Sequence, residues 1–435
     1  MSGAVAAHAA YNGTGTQGLA VTSSCPTPAT GATGASNDCG ADTMSVFWSK
    51  NSTIRQLIHG SSIIEINASG NGGSLSSGGN QIFSVNNDID AIGDLYLQIS
   101  TSGISSSTNV KAFDLLGCIK RIEFSVGTQV WQTLEAEDIN ALNLTEMSEE
   151  AFESYVLHMS GGFASNGTRN SVTPTAGNTL VSTSADITGV LRIPTLSRTL
   201  GPKFSKFTDI SESAYLLAAA SNQTPKIKVY MKQAPSITGC NFTLKLFGQC
   251  MQMCLNERTT LRSMTDGVPK RIKMTQNGTR DVAASEFNSA DEATINLDLD
   301  QFSLFASHLV IQLTSTVTTE QVSIKNVELK LNSTSFSGEI DGPILTGAIA
   351  DSMGLYSNSA RGEAGVNRSS NCYIFPLASR AYGGSSVPLN RFDNIRLNLG
   401  IARVASGSTG VKISVTCVGE TTALYRNGAA SLAMY

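Results

Sequence analysis

Charge is scarce in this 435-residue chain: Asp, Glu, Lys and Arg make up 15% of it, against roughly 25% in ordinary soluble domains. The two signs nearly cancel, leaving a formal net charge of −4. A chain without basic excess has no general electrostatic reason to bind nucleic acid directly or to coat an anionic membrane. Aromatics are 6%, thin for a shallow sugar-binding face. Histidines number four, and none of His8, His59, His158 and His308 sits in a recognised catalytic context. The eight cysteines include no C-x-x-C pair, so neither a disulfide framework nor a paired thiolate zinc site is implied. No run reaches the roughly 18 to 20 apolar residues that span a bilayer. The opening MSGAVAAHAAYNG has neither a basic n-region nor a continuous apolar stretch, so no secretory leader is expected.

What is abundant is Gly, Ser, Thr and Asn, and they fall between short runs of alternating or β-branched residues. SIIEI, QIFSV, DLYLQIS and IKRIEFSVG read as strands, with clusters such as NASGNGGSLSSGGN as the turns between them. A second series runs through NFTLKLFGQCMQM, RIKMT, ATINLDL, HLVIQL, SIKNVELKL, CYIFPL, NIRLNL and VKISVTCV. Each half offers seven or eight strands, the count of a jelly roll. One segment, EAEDINALNLTEMSEEAFESYVLHM, has the apolar spacing of one or two amphipathic helices, with acidic residues crowding its start where the helix dipole favours them. The expected fold is all-β: two consecutive eight-stranded jelly rolls, with a short helical insertion in the first. The expected divisions are a flexible arm over 1–44, a first jelly roll over 45–235 and a second over 236–435 with a buried C-terminal tail.

Motifs that could carry chemistry lack their context. GTGTQG, Gly13 to Gly18, matches G-x-G-x-x-G, but no strand precedes it and no helical pattern follows. Cys240, Cys250 and Cys254 have no second ligand pair close by. Asp291, Glu292, Asp298 and Asp300 lack the spacing of a calcium loop, and the last two alternate with leucine as on a half-exposed strand. PKRIKMTQNGTR is basic without interleaved aromatics. No catalytic, cofactor-binding or metal-binding set is assigned, and the chain is not expected to be an enzyme.

The strand series nevertheless resembles, in order, the major capsid proteins of the nucleocytoplasmic large DNA viruses. FDLLGCIKRIEFSVGTQVWQTLEAEDINALNLTEM is similar to that family's strand, turn and helix, through Ile122, Glu123, Phe124, Gly127 and Gln129. Asp94, Tyr96 and Leu97 match an upstream strand pair. CLNERTTLRS resembles the inter-domain stretch through Glu257, Arg258 and Thr259. CYIFPLASRAYGGSSVPLNRFDNIRLNL resembles a later motif through Phe375, Leu377, Pro388, Asn390, Arg391, Asp393 and Asn394. ALYRNGAASLAMY stands where the family has its closing tail, through Leu424, Gly428, Ala429, Leu432, Ala433 and Tyr435. The family's usual opening stretch is not recognisable.

That resemblance implies a double jelly roll whose homotrimers form pseudo-hexagonal capsomers of an icosahedral shell. Implied partners are neighbouring capsomers and minor capsid and penton proteins, with contact to an internal virion membrane left open and no direct nucleic-acid contact. The location would be the virion, after synthesis in the host cytoplasm. A minor capsid or penton protein and a glycan-binding jelly-roll adhesin are the alternatives. The last eight residues carry no charge, so Leu424, Gly428, Leu432, Met434 and Tyr435 are expected to pack the tail, between subunits or beneath the jelly rolls. Arg258, Arg391 and Asp393 are expected at the inter-domain seam, with Arg391 and Asp393 as a pair.

Overall fold

The computed structural model describes residues 59–433 apart from 70–73, 86–88, 105–108, 112–113, 148–150, 152–153, 156–157, 160–162, 165–178, 183–185, 195–214, 254, 316–321, 347, 354, 356–370, 380–385 and 404–409. The expected N-terminal arm, the GTGTQG stretch, Cys254, Met434 and Tyr435 lie outside the described residues.

Two sandwiches follow one another. In the first, one sheet runs His59–Ile66, Asn241–Met253, Ala91–Ser102, Ile187–Ile193, Phe163–Ala164, and the facing sheet runs Ala68–Ser69, Asn80–Ser84, Pro225–Met231, Ile119–Val126, Gln129–Glu135. In the second, Pro269–Val282, Val411–Arg426, Phe305–Ser315 and Asn371–Pro376 form one sheet, which Ala429–Ala433 and Val387–Pro388 extend. Its facing sheet is Glu292–Asp298, Ile395–Arg403, Val322–Leu331 and Thr334–Ser335, with Ile340–Asp341 beside Val322–Leu331. Neighbouring strands pair antiparallel throughout, as in Leu297 opposite Leu397 and Leu246 opposite Leu97. Among the described residues each half holds eight strands of five or more residues. The fold is the expected double jelly roll.

The change of sheets comes later than the expected division at 235/236. Strand Asn241–Met253 pairs with His59–Ile66 and Ala91–Ser102, and so completes the first sandwich. Helix Leu255–Thr265, called the bridging helix below, then leads into the second. Alternation identifies 241–253 as a strand, but it cannot say which sheet supplies the partners.

The expected helix forms over Ala136–Glu146, but it is not amphipathic: Ile139, Ala141, Leu142 and Leu144 are buried, and so are Asp138, Asn143, Thr145 and Glu146. A helix buried all round has structure on every side. Here the second half covers the face that alternation of polar groups would assign to water. One continuous apolar cluster accordingly runs from Ile66 in the first half to Ala430 in the second. No described helix is long and apolar enough to cross a membrane.

Candidate functional site: the seam between the two halves

The insertion helix Ala136–Glu146 lies between the sandwiches, and its two ends carry different chemistry. At its start Glu135 and Asp138 form a capping box, with the Glu135 N–H donating to Asp138 Oδ2 at 2.9 Å. From the other half Thr416 Oγ1 donates to Asp138 Oδ1 at 2.5 Å, Lys412 Nζ donates to Glu137 Oε1 at 2.9 Å, and Asn277 Nδ2 reaches Glu135 Oε2 at 3.5 Å. Burial pushes the Asp138 carboxyl up to about 7 against the pull of its hydrogen bonds from Thr416 and the Glu135 backbone. Burial acts on Glu137 in the same sense, but its hydrogen bond and charge pairing with Lys412 win and hold it below the usual carboxylate range.

At the helix end the two halves share buried charges. Arg192 Nε donates to Asp94 Oδ2 at 3.2 Å, and Arg192 Nη1 donates to Asn143 Oδ1 at 3.1 Å and stands 3.6 Å from Glu146 Oε2. The other Glu146 oxygen, Oε1, accepts from Lys273 Nζ of the second half. Side-chain exposure is 0% for Lys273, 3% for Glu146, 4% for Arg192 and 1% for Asp94, so this network is dry. Burial pushes Lys273 below and Asp94 above their ordinary values, each partly offset by the opposite charge beside it. His308, fully buried, is pushed down to about 3 by burial and then by the Lys273 charge, and so stays neutral. Its Nδ1 shares a hydrogen bond with Ser307 Oγ at 2.9 Å.

Two further ties cross between the halves. The last long strand ends in a hairpin whose turn, Asn427 and Gly428, has φ of 53° and 75°. Asn-Gly suits this turn because both positions need left-handed backbone. The hairpin tip docks on the first half: the Asn222 N–H donates to the Gly428 carbonyl at 2.8 Å, and the Ala430 N–H donates to Gln223 Oε1 at 2.7 Å. Tyr425, 1% exposed, enters a first-half aromatic cluster in which Tyr215 stands 5.6 Å from Phe124, 5.3 Å from Trp131 and 6.0 Å from Tyr425, centroid to centroid. The second tie is the bridging helix. Arg258 Nε lies 2.6 Å from Asp90 Oδ1, and Arg258 Nη2 donates to Asp90 Oδ2 at 3.1 Å. Replacing Arg258 by alanine is expected to cost about 1.5 to 3 kcal/mol, the range for a hydrogen bond to a charged group, read as a lower denaturant midpoint with unchanged slope.

The structure thus places Arg258 across from Asp90, and Leu424, Gly428 and Leu432 in or beside the docked hairpin, with Leu432 packed against the core. Arg391 and Asp393 lie elsewhere, on a turn whose hydrogen bonds go to Leu304 and Asn332 of the second half; no ion pair joins them among the described residues. The acidic stretch does not converge: Asp291 pairs with Arg403, Glu292 with Lys325 and Asp298 with Arg396, while Asp300 accepts the Ile395 N–H. Sequence reasoning names Asp94 only as a matched position and Asp138 only among the acidic residues at the helix start, and it assigns no role to Glu146, Arg192 or Lys273. Lys273 belongs to the basic stretch PKRIKMTQNGTR; what distinguishes it is its place on Pro269–Val282, an edge strand of its sheet that packs against Gln129–Glu135 of the first half.

No protein-family model and no curated protein matches the chain. Solved structures do. A chain of the quasi-atomic model of the PBCV-1 virus capsid superposes with a TM-score of 0.64 at 12% identity, over 88% of this chain and 98% of that one. PBCV-1 VP54, as fitted into a reconstruction of the virophage Sputnik, gives 0.63 at 13% with the same coverage. The Faustovirus major capsid protein gives 0.58 at 8%, over 85% and 91%. At such identities the likeness is one of fold: these neighbours are shell proteins, and the chain shares their double jelly roll.

Proposed function

We propose that this chain is a major capsid protein, self-associating as pseudo-hexagonal trimers into the icosahedral shell of a large double-stranded DNA virus. The observation that carries this reading is the end-to-end match: both sandwiches are covered, together with 98% of the PBCV-1 capsid chain. A single-sandwich minor capsid protein would be matched over half the chain, and a glycan-binding adhesin would have no reason to copy the pairing of two sandwiches. In this reading the division between the two sandwiches falls at the bridging helix, supported by the pairing of Asn241–Met253 within the first. The work is mechanical, without catalysis or direct contact with nucleic acid, and the location is the virion after synthesis in host cytoplasm. Neighbouring capsomers, minor capsid and penton proteins complete the shell in this reading.

Two similar sandwiches per chain give six similar walls per trimer, and cyclic closure needs one contact repeated three times. Leu424, Gly428 and Leu432 lie in or beside the hairpin docked on the chain's own first half, so in this reading the contact between subunits falls to the end of the tail, Met434 and Tyr435. Light scattering on the purified chain tests the reading. A stable particle of about three times the 45.7 kDa chain mass is expected, with loss of the trimer on truncation after Arg426. A persistent monomer that binds a glycan array would instead favour the adhesin.

A further inference from the structure

Among the described ion pairs, Lys273 and Glu146 combine two features: almost complete burial, as in Arg192 with Asp94, and a link between the two sandwiches, as in Lys412 with Glu137. Lys325 with Glu292 and Arg396 with Asp298 are at the surface, with side chains 41 to 65% exposed. Lys273 and Glu146 touch in a site closed to water and belong to different sandwiches. We propose that they are the site of a spontaneous covalent modification: an amide between Lys273 Nζ and Glu146 Cδ that locks the two halves together.

The chemistry needs no reagent beyond the two side chains. Proton transfer within the pair gives a neutral amine and a neutral carboxylic acid, the forms that a dry site favours. A desolvated lysine is a competent nucleophile, and the fold holds its nitrogen against the carboxyl group without further loss of freedom. The nitrogen lone pair attacks Cδ and forms the N–C bond. One proton then passes from nitrogen to the departing hydroxyl, the C–O bond breaks and one water leaves. Arg192 Nη1, facing the other carboxyl oxygen at 3.6 Å, stabilises the negative charge that gathers there during attack. Asp94 acts through Arg192 as a positioning residue, holding the guanidinium by its Nε.

Charge balance favours the product. Before reaction the site holds Arg192 and Lys273 against Asp94 and Glu146. Amide formation leaves at this position no group able to carry a charge, in a region where burying ions is costly, and leaves Arg192 with Asp94 as a balanced pair. The amide oxygen stays in place to face Arg192. His308, which faces Lys273 from strand Phe305–Ser315, is neutral and upsets neither side of this balance.

Mass spectrometry of the full chain decides. The purified folded protein is expected to weigh one water less than its sequence, when compared with Lys273→Arg, which keeps the positive charge but forms no amide. After denaturation and proteolysis, the peptides carrying Glu146 and Lys273 should run as one branched species. Asp94→Asn, by loosening Arg192, should slow the accumulation of that species several-fold without abolishing it; a purely structural role for Asp94 would leave the rate unchanged. Full sequence mass in the wild type, with the two peptides recovered separately and unmodified, would overturn the proposal and leave an ordinary ion pair. Should Lys273→Arg fail to fold, the wild-type peptide map alone is decisive.

Discussion

Tyr425→Ala is expected to lower the unfolding free energy by about 3 to 5 kcal/mol, the cost of removing a large buried aromatic side chain. The residue stands near the end of the last long strand of the second half, yet its ring is spent on the first: it lies against Tyr215, and its hydroxyl accepts the Leu216 N–H at 3.4 Å. Tyr425→Phe separates ring from hydroxyl and should cost no more than about 1 kcal/mol, since that hydrogen bond is long. Denaturant midpoints of both variants check the order. The double variant with Tyr215→Ala should cost less than the sum of the singles, because neighbouring rings share one cavity. A Tyr425→Ala chain within about 0.5 kcal/mol of wild type would show that the hairpin does not fasten the halves.

That fastening bears on why an uncharged tail follows Arg426. Small residues in Ala429–Ala433 let the last strand lie along Val411–Arg426, with Ala430 opposite Tyr425 and Leu432 opposite Ala423. The turn was legible in the Asn427-Gly428 dipeptide; the surface that receives it was not, because Asn222 and Gln223 are some two hundred positions away in the chain. The same division holds for the fold at large. Glu292–Asp298 alternates buried Ala293, Ile295 and Leu297 with exposed Thr294, Asn296 and Asp298, and so declares itself from pattern alone. Val411–Arg426 has the same kind of alternation over Lys412, Ser414 and Thr416, but Ser414 and Thr416 are buried, since the insertion helix covers the face that polarity assigns to water. Gln132 and Thr275 likewise spend their polar groups on each other across the seam, at 3.1 Å. Local pattern reveals a strand and its polar face; it does not reveal that the polar face is itself an interface. Arg391 and Asp393 show the converse, a charged pair in sequence whose side chains belong to an exposed turn.

The seam's second large effect is its response to pH. In the folded chain Asp138 is held at about 7 by burial, whereas in the unfolded chain it ionises near the ordinary value of about 3.9. The folded state therefore keeps a proton that the unfolded state releases between these values. Stability from this group is complete below about pH 4, falls by about 1.4 kcal/mol per pH unit up to about pH 7, and is flat above. Glu137, held low by Lys412, acts in the opposite sense: its stabilisation is present above its unfolded value and is lost only as the solution becomes more acidic. Subtracting the pH profile of Asp138→Asn from that of the wild type cancels Glu137 and every other group that the change leaves undisturbed. The asparagine can still accept from Thr416 but gives up its bond to the Glu135 N–H, a roughly constant cost of about 1 kcal/mol. The difference profile should thus favour the wild type at about pH 3.5 and the variant from about pH 5 upward, crossing between about pH 4 and 5. A flat difference would mean that Asp138 titrates alike in the folded and unfolded chain, with Thr416 and the helix start offsetting the cost of burying its charge.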